Sequence, residues 1–210
     1  MWNSRRFGRM SLAAAALMLG VASIASAQAA KAQAAKAQKG KPKAAAHATG
    51  HFKLTAPDLV SKGRIALTHA FNGMGCNGQN ISPALQWSNP PAGTKSFAVT
   101  AYDPDAPTGS GWWHWVMYNI PASTTALADG AGNGKNAPSG SAQGMTDFGT
   151  KGYGGPCPPV GDKPHHYHFT VFALKVDKLD LPGNATAAMV GFNLNANKLA
   201  TARVTGLYGR

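Results

Sequence analysis

The order of apolar and polar residues predicts β-strands through the middle of the chain. Residues 166–176, "HYHFTVFALKV", alternate, with odd-numbered side chains facing one way and even-numbered side chains the other. Both sets contain apolar residues, so this strand is predicted to be central in a sheet and covered on both faces. Shorter β-branched and aromatic runs at 95–103 and 114–120 predict two further strands.

Two other regions depart from the strand pattern. About half of residues 123–163 are Gly, Ser, Asn, Asp or Pro, which predicts a long loop that is functional or ordered by its own contacts. Residues 184–209 are Ala-rich, and Asn184 is a candidate N-cap, so one or two short helices are expected there. The pattern predicts a mostly β fold, an antiparallel β-sandwich with a few short peripheral and C-terminal helices, formed by one domain over residues 51–210.

Residues 1–27 have the features of a secretory signal peptide. Three arginines precede the apolar run "SLAAAALMLGVASIA", and "ASA" at 25–27 supplies the small residues that signal peptidase requires. We expect cleavage after Ala27 and a periplasmic or secreted mature protein. A retained N-terminal anchor helix is the alternative.

Residues 28–50 form a Lys/Ala-rich segment that is expected to be a disordered linker. It acts either as a solvated tether or as a weak electrostatic contact with anionic surfaces. The formal net charge is +12, but eight of the 20 Lys and Arg residues lie before residue 50. The other twelve Lys and Arg residues outnumber the eight Asp residues by four. This small excess of positive charge argues against a nucleic-acid-binding domain.

The chain contains two cysteines, Cys76 and Cys157. In an exported protein, an even number of cysteines predicts a disulfide, here one that closes a long loop. Two separate free thiols are the alternative that the sequence leaves open.

A first cluster of chemically active side chains lies in residues 102–115, "YDPDAPTGSGWWHW". Asp103 and Asp105 follow a predicted strand, Pro107 stiffens the turn, and His114 begins the next strand. A carboxylate beside an imidazole selects one tautomer and raises the His pKa, which would make His114 a donor to an anion. Alternatively, the Asp side chains cap the backbone amides of the turn.

A second cluster lies in residues 152–169, "GYGGPCPPVGDKPHHYHF". Its glycine-rich part is a candidate nest of backbone amides for an anion. Pro159, His165 and Tyr167 follow, and the last two supply side-chain donors suited to phosphate. Four aromatic residues are candidates for the wall of a cavity: Trp112, Trp113, Trp115 and Tyr153.

Both clusters, with "CNGQNISPALQW" at 76–87 and "DFGTKGYGGPCPP" at 147–159, resemble the phosphatidylethanolamine-binding protein family over roughly residues 52–208. The resemblance is to its bacterial, Raf-kinase-inhibitor-like branch. It implies an antiparallel β-sandwich with a pocket for anions such as phosphate, acetate or a phospholipid head group. His166 stands where the family typically has arginine, which implies a weaker contact wherever a guanidinium was needed. The implied ligand-binding residues are Asp103, Asp105, Pro107, His114, Pro159, His165 and Tyr167.

These observations predict a non-enzymatic binding protein for a small anionic ligand, with an inhibitor-like role in view of the family and with no cofactor or nucleic-acid partner. A hydrolase using His114 or His165 as base is the main alternative, although no Gly-x-Ser-x-Gly motif is present. A zinc site built from the Asp and His residues and a peptidase-inhibiting interaction module are further alternatives. Whether the protein forms a homodimer is left open by the sequence.

Overall fold

The computed structural model describes residues 50–61 and 63–210. The predicted signal peptide and nearly all of the predicted linker lie outside the described residues. In chain order, the elements are β1 (Lys53–Thr55), β2 (Val60–Ser61), β3 (Arg64–Ile65), β4 (Asn72–Gly73), β5 (Cys76–Asn77), β6 (Leu85–Ser88), β7 (Ser96–Asp103), β8 (Trp112–Pro121), β9 (Ala126–Leu127), β10 (Ala142–Gln143), β11 (His165–Leu174), α1 (Ala187–Asn197) and β12 (Lys198–Tyr208).

The described strands form one large sheet, one small sheet and a hairpin. The large sheet has seven strands in the order β10-β8-β7-β11-β12-β3-β2, the small sheet has the order β1-β6-β9, and β4 pairs with β5. Most neighbouring strands are antiparallel, but β12 and β3 are parallel, so the large sheet is mixed. The predicted mostly β fold is confirmed, and the purely antiparallel arrangement is approximate.

The central strands are covered on both faces, as the alternation in β11 predicted. One set of side chains, including Phe97 of β7 and Phe169 of β11, packs with Trp87 of the small sheet in the main core. The other set, including Leu174 of β11, packs with Val190 and other residues of α1. Both faces of the large sheet therefore lose water, which is the main favourable contribution to the fold.

The C-terminal segment is only half helical. Helix α1 begins after Thr186, whose side chain accepts a hydrogen bond from the Met189 amide, so the N-cap is Thr186 and not Asn184. The prediction of helix from residue 198 onward was wrong, because β12 pairs with β11 along its whole length. Its β-branched residues and its pairing with a central strand favour the extended conformation.

The Gly- and Ser-rich region between residues 123 and 163 is ordered by its own contacts. Asn133 accepts a hydrogen bond from the Ser82 amide and donates one to the Asn80 carbonyl, which ties the loop to the segment before β6. The predicted disulfide between Cys76 and Cys157 is present, with a sequence separation of 81 residues. None of the helices in the described ranges has the length and hydropathy needed to span a membrane.

Candidate functional site

A cavity of about 220 Å³ opens where β7 ends and where β8 and β11 begin. These strands are neighbours in the sheet, so residues far apart in sequence meet at one edge. Six of the seven predicted ligand-binding residues line the cavity: Asp103, Pro107, His114, Pro159, His165 and Tyr167.

Asp103 holds two parts of the site together. One carboxylate oxygen accepts hydrogen bonds from the amides of Asp105 and Ala106, at 2.8 and 3.1 Å, and so caps the turn after β7. The other oxygen lies 2.8 Å from Nδ1 of His165. The capping role and the histidine-orienting role, which were alternatives in the sequence, are performed by one side chain.

The ring of His165 lies between two carboxylates. Burial alone would lower its pKa, but the hydrogen bond and charge of Asp103, with help from Asp162 and Asp105, outweigh burial, so that the pKa is raised. Its second ring nitrogen, Nε2, lies 3.3 Å from the half-exposed carboxylate of Asp162. Both ring nitrogens therefore face carboxylates, which favours the imidazolium form.

His114 is as buried as His165 but has a different partner. Its Nδ1 lies 2.7 Å from the carbonyl oxygen of Gly154, and no carboxylate is bonded to the ring. Burial lowers the pKa of His114 to about 4, although the Gly154 carbonyl and the charge of Asp103 act in the opposite direction. The prediction that an aspartate would raise this pKa holds for His165 and was wrong for His114.

Tyr167 contributes a hydroxyl without a partner. The side chain is 1% exposed, and its oxygen makes no hydrogen bond within the described part of the chain. Burial, reinforced by the charge and proximity of Asp103, raises the pKa of the phenol, so it remains protonated. No hydrogen bond of ordinary geometry joins it to Asp103, and the hydroxyl is left as a buried donor on the cavity wall.

Asp105 is the predicted site residue that does not line the cavity. Its carboxylate accepts hydrogen bonds from the amide of His166, at 2.7 Å, and from the His166 ring, at 2.8 Å. Hydrogen bonding to the His166 amide is the main reason that the pKa of Asp105 is lowered. This exposed pair joins the turn after β7 to the start of β11.

The opposite wall of the cavity is made by loops. Met74, Cys157 and Pro158 line it, together with Arg210 near the end of the chain. Nε of Arg210 donates to the Pro158 carbonyl at 2.7 Å, and Nη1 donates to the Gly75 carbonyl at 2.8 Å. The Cys76–Cys157 disulfide joins the same two loops, so this wall is cross-linked twice.

The aromatic part of the lining is formed by Trp112 and Phe148. The Phe148 ring packs edge-on against His114, with centroids 5.3 Å apart, and stacks on Phe71 at 4.6 Å. Trp113, Trp115 and Tyr153, also considered as wall residues, are not part of this lining. Instead, Trp115 and Tyr153 belong to the main core.

Comparison with known families identifies the family of this chain. The family model described as phosphatidylethanolamine-binding protein matches residues 55–209. The chain belongs to the phosphatidylethanolamine-binding protein family.

Two proteins of Escherichia coli are similar to most of the chain. The chain is 54% identical over 159 residues to YbcL of Escherichia coli K12, covering 75% of this chain and 87% of YbcL. It is 52% identical over 157 residues to YbhB of the same strain, covering 74% of this chain and 99% of YbhB.

Solved structures of two family members superpose on the fold. The crystal structure of E. coli YbcL gives a TM-score of 0.74 at 53% identity, covering 77% of this chain and 99% of YbcL. The homologue CT736 from Chlamydia trachomatis gives 0.63 at 30% identity, covering 76% and 97%. The likeness therefore extends over the region that contains the cavity.

Sequence reasoning missed the guanidinium at this family member's cavity. His166 replaces the family's usual arginine, but its side chain is turned toward Asp105 and is half exposed. The guanidinium in the lining belongs to Arg210, which is 135 residues away in sequence from its partner Gly75. A cation near a chain end carries no local pattern that would reveal this contact.

The predicted amide nest is not free to bind an anion. The Gly154 amide donates to the His114 carbonyl, and the Gly155 amide donates to the Asn80 side chain. These glycines serve instead for close packing, since a side chain at Gly155 would collide with the backbone of His69 and Ala70. For the zinc alternative, no group of three His, Cys, Asp or Glu side chains in residues 50–61 and 63–210 is placed to hold a metal ion.

Proposed function

We propose that the mature protein is an exported, non-enzymatic binding protein for a small oxyanion, such as phosphate or the head group of a phospholipid. The cavity described above is its ligand site. The proposal goes beyond family membership, because it names the ligand class and the residues that contact it.

The hydroxyl of Tyr167 is the observation that carries this proposal. A buried donor costs about 1–3 kcal/mol when no hydrogen-bond acceptor is available to it. The fold retains such a donor on the wall of a cavity. An oxyanion in the cavity would accept this hydrogen bond and remove the cost.

The charges around the cavity also suit an anion. Arg210 and His165, whose pKa is raised, line it together with the single carboxylate of Asp103, which is already hydrogen-bonded to His165 and to the turn. Two of the five guanidinium N–H groups remain after the contacts to Pro158, Gly75 and Met74. The volume of about 220 Å³ suits a head group and is too small for acyl chains.

Export is supported by the disulfide, because such bonds persist in oxidising compartments. We expect a mature protein that begins after Ala27. Amino-terminal sequencing of protein recovered from a periplasmic fraction tests this, and a retained Met1 would contradict it.

The hydrolase alternative fits the site less well. Within the described lining, the hydroxyl side chains are Thr108, which donates to Gly111, and Tyr167, whose raised pKa makes it a poor nucleophile. Cys157 is in the disulfide and has no free thiol. His165 has both ring nitrogens directed at carboxylates, which leaves neither nitrogen free to act as a base toward water or a substrate.

Titration of the full chain with phosphate and with phosphoethanolamine tests the binding function. We expect the ring signals of His114 and His165 to shift in the millimolar range by NMR. Signals that stay unmoved with both ligands would contradict the proposal.

Two tyrosine variants test the residue that carries the proposal. Tyr167→Phe removes the unpartnered donor, so we expect affinity to fall about tenfold while stability is kept or increased. Tyr153→Phe is the matched control, because its equally buried hydroxyl donates to the His69 carbonyl at 2.9 Å. It should lose about 1 kcal/mol of stability and leave affinity unchanged. Equal affinities for Tyr167→Phe and wild type would show that the Tyr167 hydroxyl does not bind the ligand.

A further inference from the structure

We infer that the cavity selects an oxyanion that still carries a proton, because His114 offers the ligand a hydrogen-bond acceptor. The inference rests on the proposed function and narrows it. It favours hydrogen phosphate or a protonated phosphomonoester over sulfate and over a phosphodiester.

The position of the His114 proton follows from its partner. A carbonyl oxygen can only accept a hydrogen bond, so the 2.7 Å contact between Nδ1 and the Gly154 oxygen places the proton on Nδ1. In a neutral imidazole, the other nitrogen, Nε2, then carries a lone pair. Nε2 has no hydrogen-bond partner in the described residues, and the ring forms part of the cavity lining.

The surroundings of His114 favour the neutral ring. The side chain is 4% exposed, and the rings of Phe148 and Tyr167 pack edge-on against it, with centroids 5.3 and 5.1 Å away. Low-dielectric surroundings disfavour an ionised imidazole that has no bonded carboxylate.

The charged groups nearby have other partners. Asp103, at the end of β7, is bonded to His165 of β11, and the loop residue Asp147 accepts from the Trp113 amide. Arg210, on the loop side, is bound to backbone carbonyls. The lowered pKa of His114, about 4, agrees with this arrangement.

The cavity therefore presents both donors and an acceptor to a ligand. Tyr167 and Arg210 can donate to the charged oxygens of a ligand, and Nε2 of His114 can accept from its O–H. Hydrogen phosphate has both kinds of oxygen at neutral pH, whereas sulfate and dimethyl phosphate have no proton to donate. With either of these, a lone pair of the ligand would face the lone pair of Nε2.

Competitive calorimetric titrations of the full chain at neutral pH test the inference, with inorganic phosphate, sulfate and dimethyl phosphate as probes. Sulfate matches hydrogen phosphate in size and shape, and dimethyl phosphate represents the diester linkage of a phospholipid. We expect phosphate to bind about tenfold or more tightly than sulfate, since a mismatched buried group has a cost of this order. Dimethyl phosphate should also bind more weakly than phosphate.

The outcomes separate the two proposals. Phosphate and sulfate bound equally well, or dimethyl phosphate bound as well as phosphate, would overturn the inference and leave anion binding intact. Binding of none of the probes would overturn the proposed function, and the inference with it.

A measurement on the free protein needs no variant. Nitrogen NMR of the histidine rings should show His114 protonated at Nδ1 and unprotonated at Nε2 near pH 7, and a protonated Nε2 would overturn the inference. His114→Asn adds a second test, because the amide can still donate to Gly154 but offers no lone pair at the Nε2 position. The preference for phosphate over sulfate should disappear in this variant, and a preference that persists would overturn the inference.

Discussion

The two halves of the cavity are held in place by different means. On the sheet side, Asp103, His114, His165 and Tyr167 lie at the ends of adjacent strands. On the loop side, the wall residues are positioned by the disulfide and by Arg210. The sheet side needs no cross-link, because register already places its side chains within a few ångströms of one another.

This difference separates the chemistry of the site from its closure. The sheet side holds the imidazoles and the phenol that would contact a ligand. The loop side supplies a guanidinium and sets the width of the opening. We therefore expect both sides to contribute to stability and affinity, and changes on the sheet side to alter ligand preference and proton balance as well.

Removing the disulfide is expected to have the largest effect. The double variant Cys76→Ser/Cys157→Ser opens a loop of 81 residues, which in the chain-entropy model costs about 4–5 kcal/mol of stability. Chemical denaturation under non-reducing conditions measures this loss. An unchanged midpoint would show that the loop wall is held by Arg210 and packing alone, and the contrast between the two halves would fail.

Breaking the buried ion pair is expected to come next. Asp103→Asn leaves Nδ1 of the buried His165 ring without its carboxylate partner, and we expect a loss of about 3 kcal/mol in the free energy of unfolding. Asp105→Asn is the matched control, because its pair with His166 is half exposed and should contribute about 1 kcal/mol or less. Similar losses of stability for the two variants would mean that the buried pair contributes no more than the exposed pair does.

The third prediction concerns pH. The pKa of His114 is about 4 in the folded protein and about 6.5 when unfolded, so the unfolded chain binds the proton first as pH falls. Stability from this residue is present above the unfolded pKa and should decrease by about 2–3 kcal/mol between pH 7 and pH 4.5. The raised pKa of His165 acts oppositely, since its stabilisation is present at low pH and lost as pH rises through the folded value.

Denaturation midpoints of wild type and His114→Asn across this range test the prediction. The variant should lose less stability on acidification than wild type does. Parallel pH profiles would show that His114 is not the residue responsible.

The smallest effect is expected for the substitution of Arg210 on the loop side. Arg210→Lys keeps the charge but cannot bridge the carbonyls of Gly75 and Pro158, so we expect a loss of about 1 kcal/mol in stability. Phosphate affinity should fall severalfold. Arg203→Lys is the control, since Arg203 donates to Thr170 within the sheet and does not line the cavity. Calorimetric titration and thermal unfolding distinguish the two variants. If Arg210→Lys binds phosphate as tightly as wild type does, the Arg210 guanidinium does not take part in ligand binding.

The same contrast explains what the sequence could predict. The alternation in β11 predicted a strand covered on both faces, and strand ends beside prolines predicted where Asp103, His114 and His165 would meet. Two features of His114 on the sheet side could not be predicted from the sequence: its bond to the Gly154 carbonyl and its burial. Both depend on a loop that lies 40 residues away in sequence. On the loop side, the disulfide followed from the cysteine count, whereas Arg210 had no local signal. Residues 198–208 were mistaken for helix because their Ala and Leu content concealed the pairing with β11.

A crystal structure of the mature domain grown in phosphate is the decisive experiment for oxyanion binding. We expect one phosphate in the cavity, with oxygens within hydrogen-bonding distance of Tyr167 Oη and His114 Nε2. An empty cavity at a saturating phosphate concentration, or phosphate held only at other surfaces, would contradict it.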